Sequence, residues 1–248
     1  MTYSVKLAGI EVGRAAISVG HPRKKRPTGR VLTLRGLGET NTFISTFVQS
    51  KEEVVTQVKL AGLLPLRSVT DRKTADKVKD RWMETTYHAP LVKQLTKNRG
   101  RTLRRDRRIQ GPVFDPISAL FAVRSLPLRS GSRFRLLILN GNSLHEVKAK
   151  VVRRERLYTK LGPRNALRIE GAGRRVFDDG VKPIPNKRPR RLWLWLSADA
   201  ARVPLRLKGD TKLGAIDAEV TSHQPARSGL QVRVARGTRP PRPARRVD

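Results

Sequence analysis

The sequence contains no cysteine among its 248 residues, and aromatic residues make up only 5% of it. The absence of cysteine excludes disulfides, thiolate metal sites and a cysteine nucleophile. No run of 18 apolar residues occurs, so the sequence predicts no transmembrane helix. The few aromatic residues are not interleaved with the basic runs, as stacking platforms for single-stranded nucleic acid would require.

Acidic residues are scarce as well. The chain has 54 lysines and arginines against 20 acidic residues, which gives a net charge of +34 at pH 7. Such an excess favours polyanions, which include nucleic acid, anionic lipid head groups and acidic polysaccharides. Two basic runs supply the candidate contacts to an anionic polymer: Arg23, Lys24, Lys25, Arg26, Arg104, Arg105, Arg107 and Arg108.

Motifs that carry catalysis or bind a cofactor are missing from the sequence. The four histidines, at positions 21, 88, 145 and 223, show no metal-ligand spacing. There is no Gly-x-Ser-x-Gly nucleophile elbow. The segment Gly171-Ala-Gly173 lacks the third glycine and the helix of a phosphate loop. We therefore predict a non-enzymatic protein without metal or cofactor, and an unrecognised hydrolase stays open as an alternative.

Apolar and polar residues alternate over most of the chain. Tyr3, Val5 and Leu7 alternate with polar residues, as do Phe134, Leu136 and Ile138. This period of two is typical of half-buried strands. Asn140-Gly141 then favours a tight hairpin turn. The sequence predicts a mainly β fold, an antiparallel curled sheet or barrel-like meander.

One segment predicts a helix within this β pattern. Asp115 is a good N-cap, and Pro116 suits the first helical position. Ile117, Leu120 and Phe121 follow at helical spacing. A single short helix with an apolar stripe must bury that stripe, so we expect it to pack on or in the sheet.

The most apolar strand runs from Arg191 to Leu196. Its leucines share one face and its two tryptophans share the other. Two apolar faces are typical of a strand buried on both sides, and they are also compatible with a lining for an apolar ligand. The candidate cavity residues are aromatic: Trp193, Trp195, Phe121 and Phe134.

The order of these segments resembles the domain of unknown function 3108 family of Gram-negative envelope proteins. The most specific pieces are the helix start Asp115-Pro-x-Ser-Ala-Leu120, and Leu196-Ser-x-Asp199 followed by Val203-Pro-Leu-Arg206. The resemblance covers about residues 3–222. It implies an exported, curled antiparallel β protein with no established reaction.

We therefore expect one β domain over residues 1–223 and a Pro/Arg-rich disordered tail over 224–248. The resemblance implies a periplasmic or outer-envelope location, although Met1 leads directly into the first strand without a signal peptide, so we expect the natural start to lie upstream. The predicted function is binding of a lipidic or anionic envelope component, with lipid, lipopolysaccharide or an anionic polymer as partner. The alternative from charge alone is a cytoplasmic nucleic-acid-binding protein.

Overall fold

A computed structural model describes residues 1–20, 31–40, 50–74, 77, 80–211 and 213–225. Within these residues the chain forms one helix, α1 (Pro116–Ser125), and fifteen strands in a single sheet. The strands are β1 (Thr2–Leu7), β2 (Ile10–Gly20), β3 (Val31–Thr40), β4 (Ser50–Lys59), β5 (Pro65–Thr74), β6 (Arg81–His88), β7 (Leu91–Asn98), β8 (Arg101–Arg108), β9 (Val113–Phe114), β10 (Arg133–Asn140), β11 (Ser143–Thr159), β12 (Gly162–Arg175), β13 (Arg190–Ser197), β14 (Pro204–Thr211) and β15 (Gly214–Ser222).

The sheet is a meander joined at its chain ends. Strands β1 to β8 pair in order, β9 to β15 pair in order, and β1 pairs with β15. Every pair is antiparallel except β9 with β10. The register between β1 and β2 shifts between Val5 and Lys6, which marks a β-bulge in β2 between Glu11 and Gly13. The predicted fold class is confirmed.

Helix α1 begins as the sequence predicts. The Asp115 carboxylate accepts the backbone N–H groups of Ile117 at 2.9 Å and Ser118 at 3.2 Å, and Pro116 is the first helical residue. The Ser118 hydroxyl in turn accepts the Asp115 backbone N–H at 3.0 Å. This reciprocal cap satisfies donors that would otherwise be buried without partners.

The sheet curls around α1. One side of the helix packs on β3 and β4, where Phe121 lies with Leu34 and Val58. The other side packs on β9 and β10, where Ala119 and Ala122 lie with Phe114. We call the helix side of the sheet its inner face. A helix held between strands that are far apart in the sheet requires that the sheet bend around it.

The two ends of the sheet overlap. Leu137 and Leu139 of β10 point away from α1, because residues 136 and 138 lie against the helix. Tyr87 of β6 and Val92 of β7 pack on them in one buried cluster. The β6–β8 end of the sheet therefore covers the outer face of β10.

Arg107 of β8 lies at this overlap and is 2% exposed. Its guanidinium donates to the Asp178 carboxylate at 2.9 Å, to the Asn142 carbonyl at 3.1 Å and to the Gln94 side chain. Asp178 and Asn142 belong to loops from the other end of the sheet, so Arg107 ties the overlapping ends together.

Several predictions fall outside the described residues. These are the basic run 23–26, His21 and all of the tail beyond residue 225. The other basic run, Arg104 to Arg108, lies in β8.

Candidate ligand-binding face

The structure separates the candidate polyanion contacts of β8. Arg104 and Arg108 are exposed on this edge strand of the sheet. Arg105 pairs with Asp178 at 2.5 Å, and Arg107 is buried beside the same carboxylate. Burial leaves Arg107 inaccessible to a polymer. Strand alternation explains the difference, because neighbouring residues in β8 face opposite sides of the sheet.

The four candidate cavity aromatics do not lie together. Leu194 and Leu196 pack with Val123 of α1, so Trp193 and Trp195 point to the opposite face. Phe121 packs on β3 and β4, and Phe134 packs beside the Leu194 cluster. A cavity lined by all four residues is therefore not formed, because Trp193 and Trp195 face away from α1, the helix that carries Phe121.

Trp195 has a structural role instead. It is 7% exposed, and its indole N–H donates to the Glu155 carboxylate at 2.6 Å. Arg168 lies over the ring at 5.7 Å from its centroid. Leu157 and Leu161, at the end of the long β11–β12 hairpin, pack against the same cluster. The hairpin end thus covers the tryptophan side of β13.

Part of the inner face is not covered by α1. The register places Leu192, Leu207, Ile216, Val5 and Leu7 on the same face as Leu194. We call these five residues the open face. Leu207 is 45% exposed and the other four are half-buried. Adjacent strands are about 4.8 Å apart, so the step from β13 to β1 spans about 14 Å. An aliphatic surface of this length fits an extended acyl chain.

Gly173 and Gly209 leave space in the same surface, whereas a Cβ atom added at Gly171 would lie only 2.7 Å from the Lys148 carbonyl oxygen. Gly171 and Gly209 flank Leu192 in the register, and Gly173 pairs with Arg190. A Cβ atom added at Gly209 would have its nearest neighbours at 3.7 and 3.8 Å, which is ordinary contact. The groove at Gly209 is therefore space that a side chain or a ligand could occupy.

A cationic group borders the open face. Arg190 precedes Leu192 by two residues on the same face, about 7 Å away along the strand. His145 pairs with Arg175 across β11 and β12, again on the inner face. Within the described part of the chain neither Arg175 nor Arg190 forms an ion pair. We call His145, Arg175 and Arg190 the cationic rim.

The histidine of the rim is half-buried. Burial lowers the pKa of His145, and the nearby charges of Arg175 and Arg190 lower it further. His145 is therefore neutral near pH 7. In that form its ring can offer one donor and one acceptor to a bound anionic or hydroxylated group.

Two carboxylates outside the rim are each shared by several basic residues. Glu146 is buried and contacts Arg135 at 2.6 Å, Arg174 at 2.7 Å and Lys148 at 3.7 Å. Burial raises its pKa, but the hydrogen bonds from both arginines outweigh that effect, and the net result is a lowered pKa. Asp178 is shared by two arginines in the same way. Both carboxylates are thus used in structural ion pairs away from the rim.

Two buried ionisable groups, Asp115 and Tyr87, lie near the N-terminus of α1. Burial raises the pKa of Asp115, and burial together with the nearby Asp115 charge raises that of Tyr87. Both side chains are enclosed, and Asp115 is committed to capping.

Among the described residues no group of three or more His, Cys, Asp or Glu could hold a metal ion. Nor is any helix in this part long and apolar enough to span a membrane.

Two depressions lie on other parts of the surface. One of about 340 Å³ includes Arg14, Glu39 and Lys160 beside β1–β3. The other, of about 260 Å³, includes Arg154 and Arg156 of the β11–β12 hairpin. Neither is lined by the four candidate aromatics.

The sequence patterns do not predict the open face or the cationic rim as a site. Val5 and Leu7 fall in an alternating strand pattern, but alternation alone does not reveal which face of the sheet a helix covers. The available signal was the clustering of glycines at 171, 173 and 209 within strand patterns, because glycine in a strand often marks a close approach.

A single curled sheet around one helix, without a catalytic constellation in its described part, defines a barrel-like β protein. A solved structure with this architecture is the β-barrel-like protein of domain of unknown function DUF1849 from Brucella abortus. The two share 11% identity with a TM-score of 0.57, over 88% of this chain and 93% of that chain. This similarity shows the fold alone.

The family follows from the sequence match. Residues 2–221 match the family described as protein of unknown function (DUF3108), so the chain belongs to that family. This confirms the resemblance inferred from the motifs. No curated protein matches the chain.

Proposed function

We propose that this DUF3108 protein is a non-enzymatic binding protein for an anionic amphiphile of the bacterial envelope. The acyl part of the ligand lies on the open face, and its acidic head group lies against Arg175 and Arg190. The main observation behind the proposal is that strand pairing places the open face and the two arginines on the same side of the sheet. Half-exposed aliphatic residues share the inner face with two arginines that form no ion pair among the described residues.

The energetics favour an amphiphile over a simple polyanion at this place. Covering the open face removes aliphatic surface from water, at about 25 cal/mol per Å². An acidic head group supplies the charge-assisted hydrogen bonds that the two arginines lack within the described residues. A polymer of charges alone would leave the aliphatic surface exposed.

The envelope location is part of this proposal. It is supported by membership of the DUF3108 family, which the sequence motifs relate to envelope proteins. The ligand class is lipid-like, and lipopolysaccharide belongs to it chemically because it carries acyl chains and acidic groups.

Titration of the full chain with dansylaminoundecanoate tests the proposal, with fluorescence as the readout. We expect saturable binding that dodecanoate displaces and that dodecanol displaces more weakly. Replacing both Arg175 and Arg190 by Gln should weaken binding by about tenfold or more, because each charge-assisted hydrogen bond contributes about 1.5–3 kcal/mol.

The matched control replaces Arg101 and Arg104 by Gln. This change removes the same charge from exposed positions of β8, away from the open face. It should leave dansylaminoundecanoate binding unchanged. Equal weakening by the two double variants would mean that net charge alone attracts the probe, and the proposed site would be wrong.

A further inference from the structure

Two neighbouring turns at the end of the open face expose large aliphatic side chains. Leu213, in the β14–β15 turn, is 79% exposed, and Ile10, at the start of β2, is 60% exposed. We call these two residues the apolar tips. A single exposed aliphatic side chain is common, but two on adjacent turns form one apolar patch, which is typical of an interaction surface.

The two turns form one unit. The Ala8 N–H donates to the Ala215 carbonyl at 2.8 Å, which links the β1–β2 turn to β15. A Cβ atom added at Gly214 would lie 3.2 Å from the Ala8 side chain. The apolar tips therefore project from the same edge of the sheet and can contact one surface together.

Basic residues surround the tips. Lys6 is exposed next to the β1–β2 turn, and Arg190 and Arg191 are exposed where β13 begins beside the β14–β15 turn. Arg191 pairs with Asp210 at 3.0 Å, but Lys6 and Arg190 have no carboxylate partner among the described residues. Aliphatic tips set among cations are complementary to an anionic bilayer, where apolar groups enter the interface and lysines or arginines meet head groups.

We infer that this edge docks on the surface of an anionic lipid bilayer, with Leu213 and Ile10 inserted at the interface. The docking edge is continuous with the open face, since Ile10 pairs with Leu7. An amphiphile could then pass between the bilayer and the open face without crossing water. This passage rests on the proposed function, whereas the docking itself does not.

A fluorescent label on the tips tests the inference. Because the chain has no cysteine, a Leu213→Cys variant accepts a single environment-sensitive NBD group. With vesicles of equimolar phosphatidylcholine and phosphatidylglycerol, we expect the label to shift to the blue and brighten. Vesicles of phosphatidylcholine alone should give a smaller change.

The matched control is Leu103→Cys with the same label. Leu103 is 61% exposed on the arginine-rich strand β8, so it reports binding driven by charge alone. Its label should not respond. If the protein floats with the vesicles while the label at 213 stays unchanged, or if both labels respond alike, the inference is wrong. A response at 213 without vesicles, accompanied by self-association in sedimentation, would identify a second copy as the partner instead.

The Leu213→Gln variant separates the inference from the proposed function. It should lose about tenfold or more of its vesicle affinity, as expected for one buried leucine. It should keep dansylaminoundecanoate binding in solution, because Leu213 is not part of the open face. If dansylaminoundecanoate does not bind the parent protein but the label at position 213 still inserts into vesicles, the proposed function is wrong and the docking inference stands. Unchanged vesicle affinity would overturn the docking edge.

Discussion

Replacing Arg107 by Met should loosen the overlap between the ends of the sheet. The change keeps an unbranched side chain in a site that is 2% exposed, but it removes the donors to Asp178, Asn142 and Gln94. Gln94 is itself buried, so its side-chain oxygen loses a charged partner without gaining water.

The expected cost follows from these contacts. Removing one partner of a fully buried pair costs about 3–5 kcal/mol, and a hydrogen bond to a charged group contributes about 1.5–3 kcal/mol. The Asp178 side chain is 43% exposed and keeps Arg105, so its carboxylate is left hydrated and paired. We therefore expect a loss of about 2–4 kcal/mol in the free energy of unfolding.

Urea unfolding measures this loss, with Arg108→Met as the matched control. Arg108 is the next residue along β8 and is exposed, so its variant should stay within about 0.5 kcal/mol of the parent. Equal stability of the two variants would refute the conclusion that Arg107 holds the overlap together.

Two further predictions concern the pairing of carboxylates and the position of the helix. Glu146→Gln should reduce the free energy of unfolding by about 1–3 kcal/mol at pH 7. The pKa of Glu146 is lowered in the folded state, so its contribution to stability is present above the unfolded-state pKa and disappears as pH falls through the folded-state pKa. The unfolding free energies of the parent and the Glu146→Gln variant should therefore converge in acid. A difference that stays constant down to the lowest pH would contradict this. Gly36→Val should cost about 1–3 kcal/mol, because an added Cβ would meet the Cδ1 of Ile117 at 2.3 Å. Combining it with Ile117→Ala should recover part of that cost, and strictly additive costs in the thermal or urea unfolding of the double variant would show that the two sites do not touch.

The predictable part of the fold was local. Alternation in residues 3–7 and 134–138 and the hairpin at Asn140 specify strands through a period of two. Asp115 and Pro116 specify a helix start through the chemistry of its free N–H groups. Both signals act over a few residues, and the structure has both elements at the predicted places.

The unpredicted part depends on contacts distant in the chain. Arg107 lies in an arginine-rich run and would be expected in solvent, but the overlap of the sheet ends buries it. Trp193 and Trp195 formed a plausible cavity lining, yet α1 packs on the leucine side of their strand. Arg175, Arg190 and Leu207 share a surface only because β11 to β15 pair in one register. No local pattern encodes that register.

Filling the groove at Gly209 is the most direct test of the proposal that the open face binds an anionic amphiphile. A Gly209→Phe variant places a ring on the open face without a backbone clash. Gly20→Phe is the control, since it adds the same ring where no atom of the described residues lies within 4 Å of the new Cβ. Leu207→Gln makes the open face polar at a half-exposed position and serves as a second variant if the first is unstable. We predict that Gly209→Phe and Leu207→Gln each weaken dansylaminoundecanoate binding by about tenfold or more. Gly20→Phe should bind the probe like the parent protein. Unchanged binding by folded Gly209→Phe and Leu207→Gln variants would contradict it.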